Sequence, residues 1–134
     1  MTKKLLVLAA ALLVSGLAFA ADKPQTVCPI KGEPIDKATF VDTQGQRVYF
    51  CCGSCADKFK KNPEAVFAKF AKEGIVAENV QKTDPICGMK VNDKSIKADW
   101  KGRRLLFCSD HCKETFLKDP AKHLKALDEK PAKS

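Results

Sequence analysis

Several features that mark common functional classes are missing from this sequence. Its seven glycines occur singly, so no glycine-rich loop is present to hold the phosphates of a nucleotide. Neither a candidate catalytic base nor a pair of carboxylates placed for acid–base chemistry is visible, and we therefore expect that the protein is not an enzyme. No aromatic platform is interleaved with the basic residues, which argues against nucleic acid as a partner.

Beyond residue 20 the chain also lacks an apolar run long enough to span a membrane, which takes about 20 residues. The first 20 residues instead predict a cleaved secretory signal peptide, because Lys3 and Lys4 precede an apolar stretch that ends in a small-x-small site at 18–20. We expect the mature chain to be secreted, most simply into a bacterial periplasm. The formal net charge of +8 is carried by lysines scattered among acidic residues, a pattern typical of a solvated surface.

Cysteine, by contrast, is abundant, and it is duplicated. Residues 84–127 repeat residues 28–70 at an offset of 56–57 positions, and each repeat contains one upstream cysteine followed by a Cys-x-x-x-Cys pair. The six cysteines are Cys28, Cys51 and Cys55 in repeat one, and Cys87, Cys108 and Cys112 in repeat two. Units of roughly 40–50 residues bury little apolar surface, so they usually need a metal, disulfides or a partner for stability.

Both repeats predict the same order of elements, which gives an α+β fold class. A knuckle containing proline and glycine, at 28–32 and 84–88, precedes a β-hairpin with Gly45 or Gly102 in its turn. Two short helices follow. The first helices are predicted at 54–61 and 109–117, with a serine near each start as the N-cap, and the second begin at Asn62-Pro63 and Asp119-Pro120.

The domain organisation follows from these elements. We predict a first domain at 24–73, a linker at 74–82, a second domain at 83–128 and a charged tail at 129–134.

The cysteine spacing favours a soft metal ion. Two cysteines four residues apart at a helix start have Cβ atoms roughly 5–6 Å apart, whereas a disulfide needs about 3.5–4.5 Å. Thiolates around a tetrahedral ion lie about 3.8 Å apart, and such a pair reaches that separation more easily. The knuckle cysteine would supply the third sulfur. Thiolates select thiophilic ions, and we expect Cu(I) or Zn(II) as the bound metal.

Other interpretations of the cysteines stay open. In an oxidising compartment, pairs such as Cys28–Cys55 and Cys87–Cys112 would form disulfides, giving a stapled interaction module without metal. Cys52 and His111 are additional candidate ligands. Cys52 and Cys55 also form a Cys-x-x-Cys motif, which would indicate a thiol oxidoreductase, although the thioredoxin-like βαβ context is missing.

The motif around the second cysteine set resembles a known family. The segment Asp84-Pro85-Ile86-Cys87-Gly88-Met89, followed by Phe107-Cys108-x-x-x-Cys112-x-x-x-Phe116-x-x-x-Pro120, is similar to a YHS domain of the TRASH-like group. Repeat one is similar to a variant of this domain. The resemblance implies two treble-clef-like units that bind heavy metals through the three cysteines of each repeat. It also implies a role as a metal buffer, chaperone or accessory of an efflux system, with a metal-transport protein as partner.

The two knuckles differ at one point. When their Pro-Ile-x-Gly segments are aligned, Cys28 falls on Asp84, and Lys31 falls on Cys87. We therefore expect two metal sites of unequal geometry, with Cys28 the ligand that the alignment supports least.

Overall fold

The computed structural model describes residues 22–129, which form an α+β fold. The elements run β1 (Lys23–Pro24), β2 (Asp36–Thr43), β3 (Gln46–Phe50), α1 (Gly53–Lys61), α2 (Pro63–Glu73), β4 (Ile75–Val76), β5 (Glu78–Asn79), β6 (Ile96–Trp100), β7 (Arg103–Phe107), α3 (Asp110–Lys118) and α4 (Pro120–Glu129). The predicted signal peptide at 1–20, and all of the predicted tail except residue 129, lie outside the described residues. No helix within 22–129 is both long enough and apolar enough to cross a membrane.

Each repeat contains the antiparallel hairpin that the sequence predicts. In repeat one β2 pairs with β3, and in repeat two β6 pairs with β7. Both turns have two central residues with positive φ, namely Gln44 (51°) with Gly45 (75°), and Lys101 (44°) with Gly102 (79°). Two successive positive φ angles are typical of the type I′ turn, whose twist matches that of the flanking strands.

The helix boundaries follow local capping chemistry. Asn62 accepts a hydrogen bond from the backbone N–H of Ala65 and precedes the proline that starts α2, while Gly74 ends that helix in the left-handed region with a φ of 70°. The start of α1 differs from the expectation. Its N-cap is Cys52, not a serine, and the Cys52 side chain makes no capping hydrogen bond.

Each repeat has its own apolar core between its hairpin and its helices. In repeat one Phe50 packs on Phe59 with ring centroids 5.2 Å apart, and in repeat two Phe107 packs on Phe116 at 5.3 Å. All four rings are at most 1 % exposed. The equivalent aromatic pairs hold the end of the second hairpin strand against the first helix, the two elements that carry the Cys-x-x-x-Cys motif in each repeat.

A glutamine side chain ties each knuckle to the neighbouring hairpin. Gln25 donates to the backbone oxygen of Tyr49 (2.6 Å) and accepts from its N–H (2.9 Å). Gln81 makes the same two bonds with Leu106, at 2.6 and 2.9 Å. Both glutamines lie three residues before the first knuckle residue, so the duplication extends further upstream than the cysteine pattern shows.

The segment predicted as a linker, 74–82, has structure of its own. It contains β4, which pairs in parallel with β1, and β5, which extends the first hairpin to a three-stranded sheet. Asn79 donates a hydrogen bond to the backbone oxygen of Arg104 (2.7 Å), and Gln46 donates to the same oxygen (2.8 Å). These bonds attach the sheet of repeat one directly to β7 of repeat two.

Each hairpin turn contacts the other repeat. The turn at Gly102 lies against the backbone of Phe67 in α2. The turn of repeat one meets α4, where Asp128 accepts a hydrogen bond from the N–H of Gln44 at 2.8 Å. This reciprocal packing joins the two repeats through both of their hairpin turns.

Candidate metal centres

Centre one consists of Cys28, Cys51 and Cys55. Cys28 comes from the knuckle, Cys51 follows β3, and Cys55 lies in the first turn of α1. Their three sulfur atoms lie within 4.8 Å of one another, and Cys51 and Cys55 are separated by 3.8 Å. Cys28 and Cys55 are fully buried, and Cys51 is half-buried. The structure therefore brings together the three sulfurs that the spacing predicts for repeat one, including Cys28.

The knuckle positions the first residue of each centre. In repeat one the N–H of Gly32 bonds to the oxygen of Cys28 (2.8 Å), and in repeat two Gly88 bonds to Asp84 in the same way (2.9 Å). Gly32 and Gly88 have φ angles of 77° and 74°, a left-handed conformation that glycine adopts without steric cost. The tight turn directs the first residue of the knuckle toward the end of the hairpin.

Centre two consists of Cys87, Cys108 and Cys112, and it includes a fourth group, the carboxylate of Asp84. The four ligand atoms lie within 4.8 Å of one another. The sulfur of Cys108 lies 3.1 Å from that of Cys87 and 3.6 Å from that of Cys112. Cys87 and Cys108 are exposed, whereas Cys112 and Asp84 are buried. Centre two is thus open to solvent on one side, and centre one is more enclosed.

Asp84 was not predicted as a site residue, and its surroundings explain why it belongs there. Its carboxylate accepts hydrogen bonds from the backbone N–H groups of Ile86 (2.7 Å), Cys87 (3.3 Å) and Cys108 (2.8 Å). Burial acts to raise the pKa of Asp84, but these N–H donors outweigh it and lower the pKa. A carboxylate has about four lone-pair positions, so one remains for a cation. The alignment of Cys28 with Asp84 was the signal in the sequence for this role.

Cys28 occupies the equivalent position in repeat one and faces equivalent donors. Burial acts to raise its pKa, while the backbone N–H groups of Lys31, Cys51 and Ile30 lower it, and their effect is the larger. The knuckle therefore stabilises an anion at its first residue in both repeats. The group whose charged form is favoured is a thiol in centre one and a carboxyl in centre two.

The clustered thiols resist simultaneous ionisation. Burial and the neighbouring thiols Cys28, Cys55 and Cys52 raise the pKa of Cys51 far above its ordinary value. The hydrogen bond with Cys87, followed by burial, raises the pKa of Cys108 to about 12. Several sulfurs at 3.1–3.8 Å hold negative charge poorly without a cation, and a thiophilic ion at their centre would supply that charge. The donor set and its spacing fit a soft metal ion.

Cys52 lies beside centre one and not at its middle. Its sulfur is 3.5 Å from that of Cys55 and 3.8 Å from that of Cys51, but it is not within 4.8 Å of every ligand atom of the centre. Hydrogen bonds from the Ser54 hydroxyl and from Cys55 lower the pKa of Cys52 to about 6. His111 is exposed on α3, and neither group of converging ligand atoms within 22–129 includes it.

A comparison with protein families finds a match in the second repeat. The family model for the YHS domain matches residues 82–126, the segment that contains all four ligands of centre two. No curated protein and no solved structure matches the chain. The match does not extend over repeat one, whose assignment to the same family stays a prediction based on its alignment with repeat two. Residues 82–126 therefore match the YHS domain model, and this match and the cysteine groups both fit a metal-binding role.

Proposed function

We propose that this protein binds thiophilic metal ions of the Cu(I) or Zn(II) type through the cysteine thiolates of two centres. In this proposal it acts in the periplasm as a metal buffer, as a chaperone, or as an accessory to an efflux system. The observation that supports it most directly is the convergence of three sulfurs in each repeat to within 4.8 Å of one another. No bond of a substrate is broken, and the metal ion itself is the cargo.

Transfer of the ion would proceed by exchange of ligands. Cys87 and Cys108 are exposed, so a thiolate of a metal-transport partner can approach an ion in centre two while Cys112 still holds it. Exchange through such an intermediate needs no free metal ion in solution. The proposed direction of transfer, to or from the partner, depends on which protein binds the ion more tightly.

Native mass spectrometry with elemental analysis tests the proposal on protein purified from the periplasm. We expect bound metal in the wild-type protein, and less metal after Cys51→Ser or Cys108→Ser, because each variant loses the sulfur that links the hairpin to its centre. Met89→Leu is the control. Met89 is an exposed soft residue outside both groups, so its removal should leave the metal content unchanged. Equal metal content in all four proteins would reject the proposal.

Native mass spectrometry also distinguishes metal binding from a second candidate function, which the short distance between the sulfurs of Cys87 and Cys108 favours. Cys87 and Cys108 are exposed and their sulfurs are 3.1 Å apart, so oxidation would convert this pair to a disulfide with little movement. A disulfide-stapled interaction module would show an intact mass lower by about two units for each bridge and no bound metal.

A thiol oxidoreductase acting through Cys52 and Cys55 would instead turn over in an insulin-reduction assay, and Cys52→Ser would abolish that activity.

A further inference from the structure

The start of α1 differs from the starts of the other three helices in residues 22–129. The first turn of a helix has unpaired N–H groups, and a Ser, Asn or Asp side chain at the N-cap usually accepts a hydrogen bond from one of them. Asn62 and Ser109 make this bond at the starts of α2 and α3, and Asp119 accepts from Lys122 at the start of α4. Cys52 makes none. The N-cap residue of α1 therefore has a sulfur where the N-cap residues of the other three helices have an oxygen that accepts a hydrogen bond.

The sulfur of Cys52 instead points toward the other thiols. It lies 3.5 Å from the sulfur of Cys55 and 3.8 Å from that of Cys51. Thiolates bound to one tetrahedral ion lie about 3.8 Å apart. Cys52 thus has the correct spacing to two ligands of centre one, and like Cys51 it is half-buried. Its sulfur is not within 4.8 Å of every ligand atom of the centre, so its side chain would turn toward the remaining ligand when an ion binds.

Aligning the repeats shows what Cys52 replaces. The knuckle cysteine of repeat two, Cys87, aligns with Lys31, so repeat one lacks a donor there. At the start of the first helix it is repeat two that lacks a thiol, because Cys52 of repeat one aligns with Ser109. Each repeat therefore has four acidic donors, but the donor without an equivalent in the other repeat is the knuckle cysteine Cys87 in repeat two and the helix-start cysteine Cys52 in repeat one.

The positive charge of Lys31, close to centre one, is consistent with a fourth thiolate there. Lys31 lies near the thiols of Cys52, Cys55 and Cys51, which together with Glu33 raise the pKa of its ammonium group. A fourth thiolate adds one negative charge to the centre, and the lysine that stands in place of the missing knuckle cysteine offsets it.

We propose that Cys52 is the fourth ligand of centre one, making it an all-thiolate tetrahedral site, whereas centre two holds its ion with three thiolates and the Asp84 carboxylate. This inference rests on the proposed function. Four thiolates in a tetrahedron suit Zn(II) and softer divalent ions such as Cd(II). Replacing one thiolate by a harder oxygen weakens that preference, so the two centres discriminate differently among metals.

NMR of protein loaded to saturation with an NMR-active cadmium isotope tests the inference on the full, reduced chain. Cadmium with only sulfur ligands resonates downfield of cadmium that also has an oxygen ligand. We expect two resonances in the wild-type protein, and Cys52→Ser should move the downfield one upfield without moving the other. The control is Ser109→Ala, which changes the equivalent position of repeat two and should leave the shift of the downfield resonance in place.

Two resonances that both keep their positions in Cys52→Ser would overturn the inference while leaving thiolate metal binding intact. Failure of the wild-type protein to bind cadmium would reject the proposed function itself.

A second measurement needs no variant. Alkylation of the wild-type protein, mapped by peptide mass spectrometry, should show Cys52 protected by cadmium to the same extent as Cys55. Equal alkylation of Cys52 with and without cadmium, while Cys55 is protected, would also overturn the inference.

Discussion

The cysteines of centre one differ widely in acidity when no metal is bound. The pKa of Cys52 is lowered to about 6, chiefly by the hydrogen bond with the Ser54 hydroxyl, whereas burial and neighbouring thiols raise that of Cys51 well above the ordinary range. Of these two thiols, Cys52 therefore loses its proton at the lower pH. An arriving metal ion would meet Cys52, and not Cys51, as the thiolate.

This difference predicts the pH dependence of thiol reactivity in the reduced, metal-free protein. Only the thiolate reacts with iodoacetamide, so alkylation of Cys52 should be slow below its pKa of about 6 and rise to a plateau above it. Cys108, with a pKa of about 12, should stay largely unmodified at neutral pH. Peptide mapping of alkylation rates across the pH range measures both.

Ser54→Ala is the control for this prediction. It removes the hydroxyl that contributes most to lowering the pKa of Cys52, so the midpoint should move to higher pH. A midpoint for wild-type Cys52 near the ordinary thiol value of about 8.5 would contradict the prediction.

At the residue scale, the sequence predicted which cysteines converge, but not every group that lies with them. Spacing alone identified the six cysteines that converge in the two centres. Asp84 was missed because an Asp-Pro pair is typical of a turn, and its contact with the N–H of Cys108 spans 24 residues of sequence. Such a contact depends on how the knuckle turns back onto the hairpin, which local pattern does not specify.

At the scale of elements, the two type I′ turns determine how the repeats meet. A Cβ added at Gly102 would lie 2.0 Å from the backbone oxygen of Phe67, on a helix of the other repeat. Gly32 has a similar φ of 77°, but a Cβ there meets nothing within 4 Å. Alanine substitutions at the two glycines therefore distinguish the free-energy cost of a positive φ from the added cost of a steric clash.

We predict that Gly32→Ala lowers the free energy of unfolding by about 1 kcal/mol, the usual penalty for a left-handed residue with a side chain. Gly102→Ala should lower it by about 3 kcal/mol, because α2 must also move away from the turn. Urea unfolding of both variants, followed by circular dichroism, measures the difference. Equal losses would show that the turn tolerates displacement from α2.

Helices and hairpins were predictable because they carry strong local signals. Asn62-Pro63 and Asp119-Pro120 marked the starts of α2 and α4, and both starts are confirmed. The strands β1, β4 and β5 were not predicted. Each has two residues, too few to show an alternating pattern, and they pair only because distant segments bring them together.

At the scale of the whole molecule, the side chain of Arg103 connects the two repeats. Its side chain is fully buried, forms an ion pair with Glu64 of α2, and donates to the backbone oxygen of Lys101 at 3.0 Å. The guanidinium also lies over the ring of Phe67, 4.1 Å from the centroid. Arg47 makes comparable contacts within repeat one alone, pairing with Asp42 and lying 3.9 Å from the centroid of Phe40.

These two arginines allow a matched test of how the repeats are held together. Lysine keeps the charge but loses the planar fork that contacts several acceptors at once. We expect Arg103→Lys to reduce the free energy of unfolding by about 2 kcal/mol, because a lysine ammonium at this buried position cannot make all the hydrogen bonds of the guanidinium. Arg47→Lys, at a partly exposed pair, should cost less than about 1 kcal/mol.

Thermal unfolding of the metal-free proteins provides the measurement. If the repeats are coupled through Arg103, its replacement should lower the midpoint for both repeats together. A variant in which only one repeat loses stability would argue that the contact is local to one side.

The bonds from Gln46 and Asn79 to the backbone oxygen of Arg104 in β7 have a consequence for any shortened form of the chain. A polypeptide that contained repeat two alone would leave this oxygen without its two side-chain amide donors. The doubled unit therefore does not consist of two independent modules, because side chains that precede repeat two bond to its main chain.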